Sequence, residues 1–149
     1  MIREPRPEDH GALASMLQKM HAETKYSVFP LSEARMLSAL KYFMHPDEDR
    51  FGCVFEVDGV VSGVFFGHVS ELWFSEERCG YDDLIYVLPE ARGRMGSIRM
   101  LRAFEKWCRE QGCSAVLVGV SSGVMVDRTG ALFERLGYGR LGGVYRRCV

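Results

Sequence analysis

The chain has 149 residues, of which 47% are hydrophobic and 26% charged, and its formal net charge is -1. That length suits one compact domain with a sizeable core, and the composition is that of a globular protein rather than a disordered one. The near-neutral balance offers no basic field for nucleic acid as the main partner.

Five cysteines are scattered without a CxxC pair, and the four histidines are spread along the chain. Neither a zinc site nor a disulfide framework is indicated; reduced, packing cysteines of a cytoplasmic protein are the expectation. The opening MIREPRPEDH has no apolar leader, and no run of 18 apolar residues occurs, so no membrane association is expected.

Ile2–Glu4 reads as a short strand stopped by Pro5. Pro7, Glu8 and Asp9 suit a helix start, and Leu13, Met16, Leu17 and Met20 recur at helical spacing, predicting a helix over Pro7–Met20. Ser32 can cap a second helix with Met36, Leu37, Leu40 and Phe43 as its apolar stripe, ended by Pro46. Phe51–Val57 and Val60–Val69 are strand-like and separated by Asp58-Gly59, a strong hairpin signal. Gly63 and Gly67 within the second run suggest bulges or close backbone approach. Leu84–Leu88 reads as a buried strand closed by Pro89. A helix over Arg94–Gln111 follows, with Met100, Leu101, Phe104, Trp107 and Cys108 on one face and Gly112 at its C-terminal cap. Ser114–Val120 reads as a strand, Asp127–Leu136 as a short helix, and Tyr138–Arg147 as a last strand or hairpin broken at Gly142-Gly143. The expected fold is a single mixed α/β domain over residues 1–149, in the order β-α-α-β-β-β-α-β-α-β.

The segment Arg92-Gly93-Arg94-Met95-Gly96-Ser97 lies between a strand and a long helix. A helix N-terminus exposes unpaired N–H groups and the positive end of its dipole, and small residues let a phosphate approach the backbone. Arg92 and Arg94 add cationic groups. Read alone, these residues fit a glycine-containing turn with two solvated arginines more readily than an anion site. They match neither a Walker loop nor a GxGxxG dinucleotide loop.

The lead-in Tyr86-Val87-Leu88-Pro89-Glu90-Ala91-Arg92, the helix after it, the strand Ala115–Val120 and the phrase Leu132-Phe133-Glu134-Arg135-Leu136-Gly137-Tyr138 occur in a telling order. Ile2-Arg3 with Pro7-Glu8-Asp9, and Asp58-Gly59 followed by Val61 and Gly63, complete it. Over nearly its whole length the sequence resembles the GCN5-related N-acetyltransferase (GNAT) superfamily. The resemblance implies a GNAT-like fold and direct transfer of an acetyl group from acetyl-CoA to a primary amine of a small molecule or peptide, with no metal. It implies that backbone groups of Tyr86, Val87 and Leu88 bond the pantetheine arm like an added strand. The amides of Arg92, Gly93, Arg94, Met95, Gly96 and Ser97 would hold the pyrophosphate.

Two departures from the family pattern matter, one in the loop motif and one in catalysis. Met95 stands at the first motif glycine and Ser97 at the closing small residue, so Met95 is expected in helical φ/ψ with its side chain turned from the phosphates. Phe133 stands where many members carry the tyrosine that protonates the leaving thiolate, a role left here to water or a nearby Tyr or Ser.

Aminolysis needs a neutral amine, hence a base. Asp82 and Asp83 enter the cofactor strand, where simple alternation puts Asp83, Ile85 and Val87 on one face and Asp82, Leu84 and Tyr86 on the other. Asp83, His21 and Glu23 are the candidate catalytic residues, against readings as a solvated strand entry and a structural histidine. Tyr26, Phe29, Trp73 and Phe74 can wall an acceptor site or pack on the first two helices. Ser121 and Ser122 follow the Ala115–Val120 strand. The alternatives to an enzyme are a non-catalytic CoA-binding regulatory domain of the same fold, favoured by Phe133 and Met95, and an interaction domain using the Glu71–Arg78 loop. Dimers are common among soluble oligomers, and a homodimer stays open.

Overall fold

The β-branched and aromatic runs form a five-stranded sheet in a computed structural model that describes residues 1–149. Its strands are β1 (Ile2–Arg3), β2 (Arg50–Val57), β3 (Val60–Glu71), β4 (Arg78–Val87) and β5 (Ala115–Leu117), hydrogen-bonded in that order. Asp58 and Gly59 both adopt positive φ, 51° and 80°, which a two-residue hairpin of this twist requires. β1 to β4 pair antiparallel, whereas β5 runs parallel to β4 because a helical crossover joins them.

The helices are α1 (His10–Glu23), α2 (Glu33–Phe43), α3 (Gly96–Glu110) and α4 (Val126–Arg135). Pro7–Asp9 forms a 3-10 turn before α1 rather than its first turn. Ser32 caps α2 as its sequence promised, accepting the Arg35 N–H at 3.3 Å. No helix is long and apolar enough to cross a membrane.

α1 and α2 cover one face of the sheet, where Leu13, Met16, Leu17 and Leu40 meet Val54, Val64, Phe66 and Tyr86. α3 covers the other, packing Met100, Leu101, Phe104 and Cys108 on Phe51, Phe55 and Phe65. Phe104 is 0% exposed, and burying such a side chain contributes about 1.5–3 kcal/mol. Phe133, Leu136 and Tyr138 extend this second cluster at its margin. The cysteines are all unpaired; burial pushes the Cys53 thiol up to about 12.

The mixed α/β fold stands, with two corrections. The last strand does not form: residues after Gly137 are irregular, those beyond Tyr138 are exposed, and the element order ends at α4. Gly142-Gly143 carries the largest entropic cost of ordering and no side chain to pack, at the middle of that run. The strand expected at Leu84–Leu88 instead begins at Arg78. Gly80, Asp82 and Asp83 disfavour a strand locally, but pairing with β3 along its length, and with β5 from Cys79 to Tyr81, imposes it.

Candidate active site

Ladder pairing between β4 and β5 ends at the rung Tyr81↔Leu117, while β4 continues to Val87. The two strands part beyond that rung and leave a fork in the sheet. Asp82 stands at its root and accepts the Gly119 N–H at 3.1 and 3.2 Å, spanning the gap. Burial raises the Asp82 carboxyl to about 6, against the Gly119 bond that lowers it; neighbouring Asp83 adds to the rise.

The strand-to-helix segment opens beside this fork. The amides from Gly93 to Ile98 donate to no protein acceptor. They are the free donors of a helix start extended by a loop, and that arrangement binds anions. Gly93 sits at φ +86°, and Met95 at φ 62°, ψ 8°. Met95 thus departs from the expected helical φ/ψ: it takes the left-handed conformation that suits glycine, with its side chain half exposed. This conformation costs an L-residue roughly 1–2 kcal/mol. Met95→Gly is therefore expected to raise the melting temperature by roughly 2–4 °C, measured by thermal denaturation; an unchanged or lower value counts against strain at this residue.

Gly96 has a different reason. A Cβ there would lie 2.4 Å from the Phe55 ring, so the glycine lets α3 approach β2. Its amide remains in the row, but its lack of a side chain serves packing.

Arg92 is turned away from the row. Its Nε donates to the Val87 carbonyl at 3.0 Å, and its guanidinium lies 2.5 Å from Glu23 and 5.7 Å from the Tyr86 ring centre. Tyr86 completes the cluster, donating its hydroxyl to Glu23 at 2.8 Å. Burial alone would raise the Glu23 carboxyl, but the bonds from Tyr86 and Arg92 outweigh it and hold the group below its usual range. The Leu88 amide is likewise engaged, donating to the Ser62 carbonyl at 2.9 Å. Arg94, within the segment that bears the row, is exposed and has no ion-pair partner.

The predicted acids and histidine separate on the two sheet faces. Phe66 pairs with Leu84 but Gly67 with Asp82, so Asp83 is the extra residue of a bulge. Gly67 faces Phe104 of α3, which puts Asp82 on the α3 face together with Ile85 and Val87. The simple alternation expected over Asp82–Val87 is thereby corrected. Asp83 is thrown to the opposite side, where its carboxylate meets His68 Nδ1 at 2.9 and 3.0 Å. Neither His68 nor the staple role of Asp82 is legible in the sequence; Gly67 inside a strand is the signal for a bulge that re-aims a neighbour. His21 is held by its Nε2 at 2.7 Å from the Phe29 carbonyl.

The connection between α1 and α2 walls a hollow of about 380 Å³, lined by His21, Tyr26, Phe29, Leu31, Arg35 and Met36 among others. No carboxylate lines it. Tyr26 donates its hydroxyl to Ser121 at 2.9 Å, and the Lys25 amide donates to the Ser122 carbonyl at 2.8 Å. These bonds join the hollow to the chain leaving β5, on the α1–α2 side of the fork. Trp73 and Phe74 are elsewhere: 94% and 68% exposed, they stand edge-on at the β3–β4 hairpin tip, opposite the end where the fork opens. Phe133 packs beside Tyr138, whose hydroxyl donates to Glu105 at 2.6 Å.

A model of the acetyltransferase (GNAT) family matches residues 14–138 of the chain. No curated protein matches the sequence. Among solved structures, AAC(6')-Iy in complex with the bisubstrate analog CoA-S-monomethyl-acetylneamine is similar at 16% identity and a TM-score of 0.74, covering 99% of this chain and 98% of that one. Glucosamine-6-phosphate N-acetyltransferase from Arabidopsis thaliana is similar at 14% identity and a TM-score of 0.75, covering 99% and 97%. The ribosomal-protein-alanine N-acetyltransferase from Brucella melitensis biovar Abortus 2308 gives 17% identity, a TM-score of 0.72, and coverage of 100% and 99%. At such identities the likeness is one of fold, and their acceptors differ from one another.

Proposed function

The chain belongs to the acetyltransferase (GNAT) family, and from that premise we propose that it transfers an acetyl group from acetyl-CoA to a primary amine on a small molecule. The observation that carries this reading is the row of unpaired amides from Gly93 to Ile98 beside a forked sheet edge. Six consecutive unpaired donors at a helix start suit a pyrophosphate, and Arg94 adds charge without an ion-pair partner. Glu23 acts on this site through Arg92, which it holds against the Val87 carbonyl, so it serves as a positioning residue rather than a base.

Acetyl-CoA supplies the acetyl group in activated form, as a thioester. The protein's part is to hold the amine against it and to take up a proton. The hollow walled by Tyr26, Phe29 and Leu31 favours an amine on an apolar body. Its lack of carboxylates disfavours a polycation such as an aminoglycoside. No phenol stands at position 133, and the Tyr138 hydroxyl is committed to Glu105. The leaving thiolate therefore takes its proton from water.

The test is release of free thiol from acetyl-CoA in the presence of 2-phenylethylamine, a lysine-containing peptide or kanamycin. Turnover is expected, fastest with 2-phenylethylamine. Phe133 favours a second reading, a CoA-binding domain without activity; a thermal shift with acetyl-CoA but no thiol release on any amine selects it. Neither shift nor release overturns both.

A further inference from the structure

We infer that His68 is the general base that takes the proton from the acceptor amine, with Asp83 as the positioning residue that sets its tautomer. The inference rests on the acetyl-transfer reading above. It starts from the bulge at Phe66/Gly67, which turns Asp83 out of the strand alternation and brings its carboxylate onto His68. A carboxylate can only accept, so the nitrogen facing it, Nδ1, carries the proton. The lone pair of the neutral ring is then on Nε2. Tyr81 fixes the ring plane by stacking on it, with centres 5.3 Å apart and planes 19° apart.

The position suits the task. His68 is the cross-strand partner of Tyr81, and Tyr81 forms the last rung with Leu117 before the fork opens. The imidazole therefore stands one strand, about 4.8 Å, from the root of the fork. It shares a sheet face with Phe66, the face covered by α1 and α2, and the hollow at Tyr26 and Phe29 lies on that side. With 40% of its side chain exposed, His68 is open to a substrate.

Of the other groups, Asp82 is on the α3 face with Gly119, and Glu23 is neutralised by Arg92. His21 donates its Nε2–H to the Phe29 carbonyl and so also keeps a lone pair, on Nδ1, but no carboxylate backs its ring as Asp83 backs His68. The charged and titratable groups facing His68 are Asp83, the Tyr81 phenol and, across β2, Arg50. Arg50 is itself paired with Asp47 and lies over the Tyr42 ring.

In the step assigned to this pair, the amine lone pair forms the C–N bond to the acetyl carbon. The C–S bond breaks with its electron pair leaving on sulfur. The proton released from nitrogen passes to His68 Nε2 and from there to solvent, and the thiolate is protonated by water.

The test measures kcat, KM and the pH profile of acetyl transfer, using whichever of 2-phenylethylamine, the lysine peptide and kanamycin the wild-type protein turns over fastest. His68→Gln is expected to lower kcat by about 10²–10⁴-fold and to abolish the acid limb of the kcat profile. The KM for acetyl-CoA and the thermal shift it produces stay unchanged. Asp83→Asn, which leaves the imidazole in place but removes the charge that orients it, is expected to lower kcat by at least tenfold and to displace the acid limb. A His68→Gln protein with kcat within twofold of wild type, or with its acid limb intact, overturns the assignment while leaving acetyl transfer standing. A wild-type protein without turnover on any of the three amines overturns acetyl transfer and this assignment together.

Discussion

Asp82→Asn is expected to stabilise the protein at pH 8 and to leave its stability unchanged at pH 4. Asp82 ionises near 3.9 in an unfolded chain and near 6 in the fold, where burial opposes its charge. Between those values the native state holds the extra proton, so stability is lost as pH rises through this window and stays lost above it. The full shift corresponds to about 3 kcal/mol. Asp82 is only partly shielded from water, which reduces the expected gain to about 1–2 kcal/mol. Asparagine keeps an oxygen for the Gly119 amide and removes only the charge. Denaturant unfolding at the two pH values reads the effect directly; equal stabilities at pH 8 contradict a buried, ionised staple at the fork.

Gly96→Ala is expected to destabilise the protein by about 1–3 kcal/mol. The added carbon would overlap the Phe55 ring, which is itself 3% exposed and fixed between β2 and α3. The N-terminus of α3 must then lift from the sheet, taking the amide row with it. Weaker cofactor binding by this variant would accordingly report a displaced helix rather than a lost phosphate contact. Chemical denaturation measures the cost, and a variant as stable as wild type contradicts the close approach.

The elements with a strong period were legible from residues alone. α3 declares itself through Met100, Leu101, Phe104 and Cys108, and the β2–β3 hairpin through Asp58-Gly59, since both signals are local. What escaped depends on partners distant in sequence. The first half of β4 has poor strand composition and exists because β3 and β5 pair with it. The segment Tyr138–Arg147 has the opposite character, strand-like residues that find no partner.

The same division runs through the site. The strand, loop and helix that bear the amide row were visible in Leu84–Gly112. The roles within it were not, because they turn on backbone angles and packing: Met95 adopts the glycine conformation, and Gly96 answers to Phe55. Arg92 looked like a phosphate ligand beside the row, yet Glu23, 69 positions earlier, draws it back over the strand end. Of the candidate catalytic residues, Asp83 is turned by the bulge onto His68, the contact from which the proposed base is argued, while His21 is bonded to the Phe29 carbonyl and Glu23 to Tyr86.

The account stands on the claim that the amides from Gly93 to Ile98 receive the anionic part of the cofactor. Titrating the ¹⁵N-labelled protein with CoA and following its amide resonances tests this most directly. The account predicts that the resonances of Gly93 through Ile98 move furthest and together, saturating with a single dissociation constant. Saturable binding that leaves those six resonances in place while others shift would contradict it.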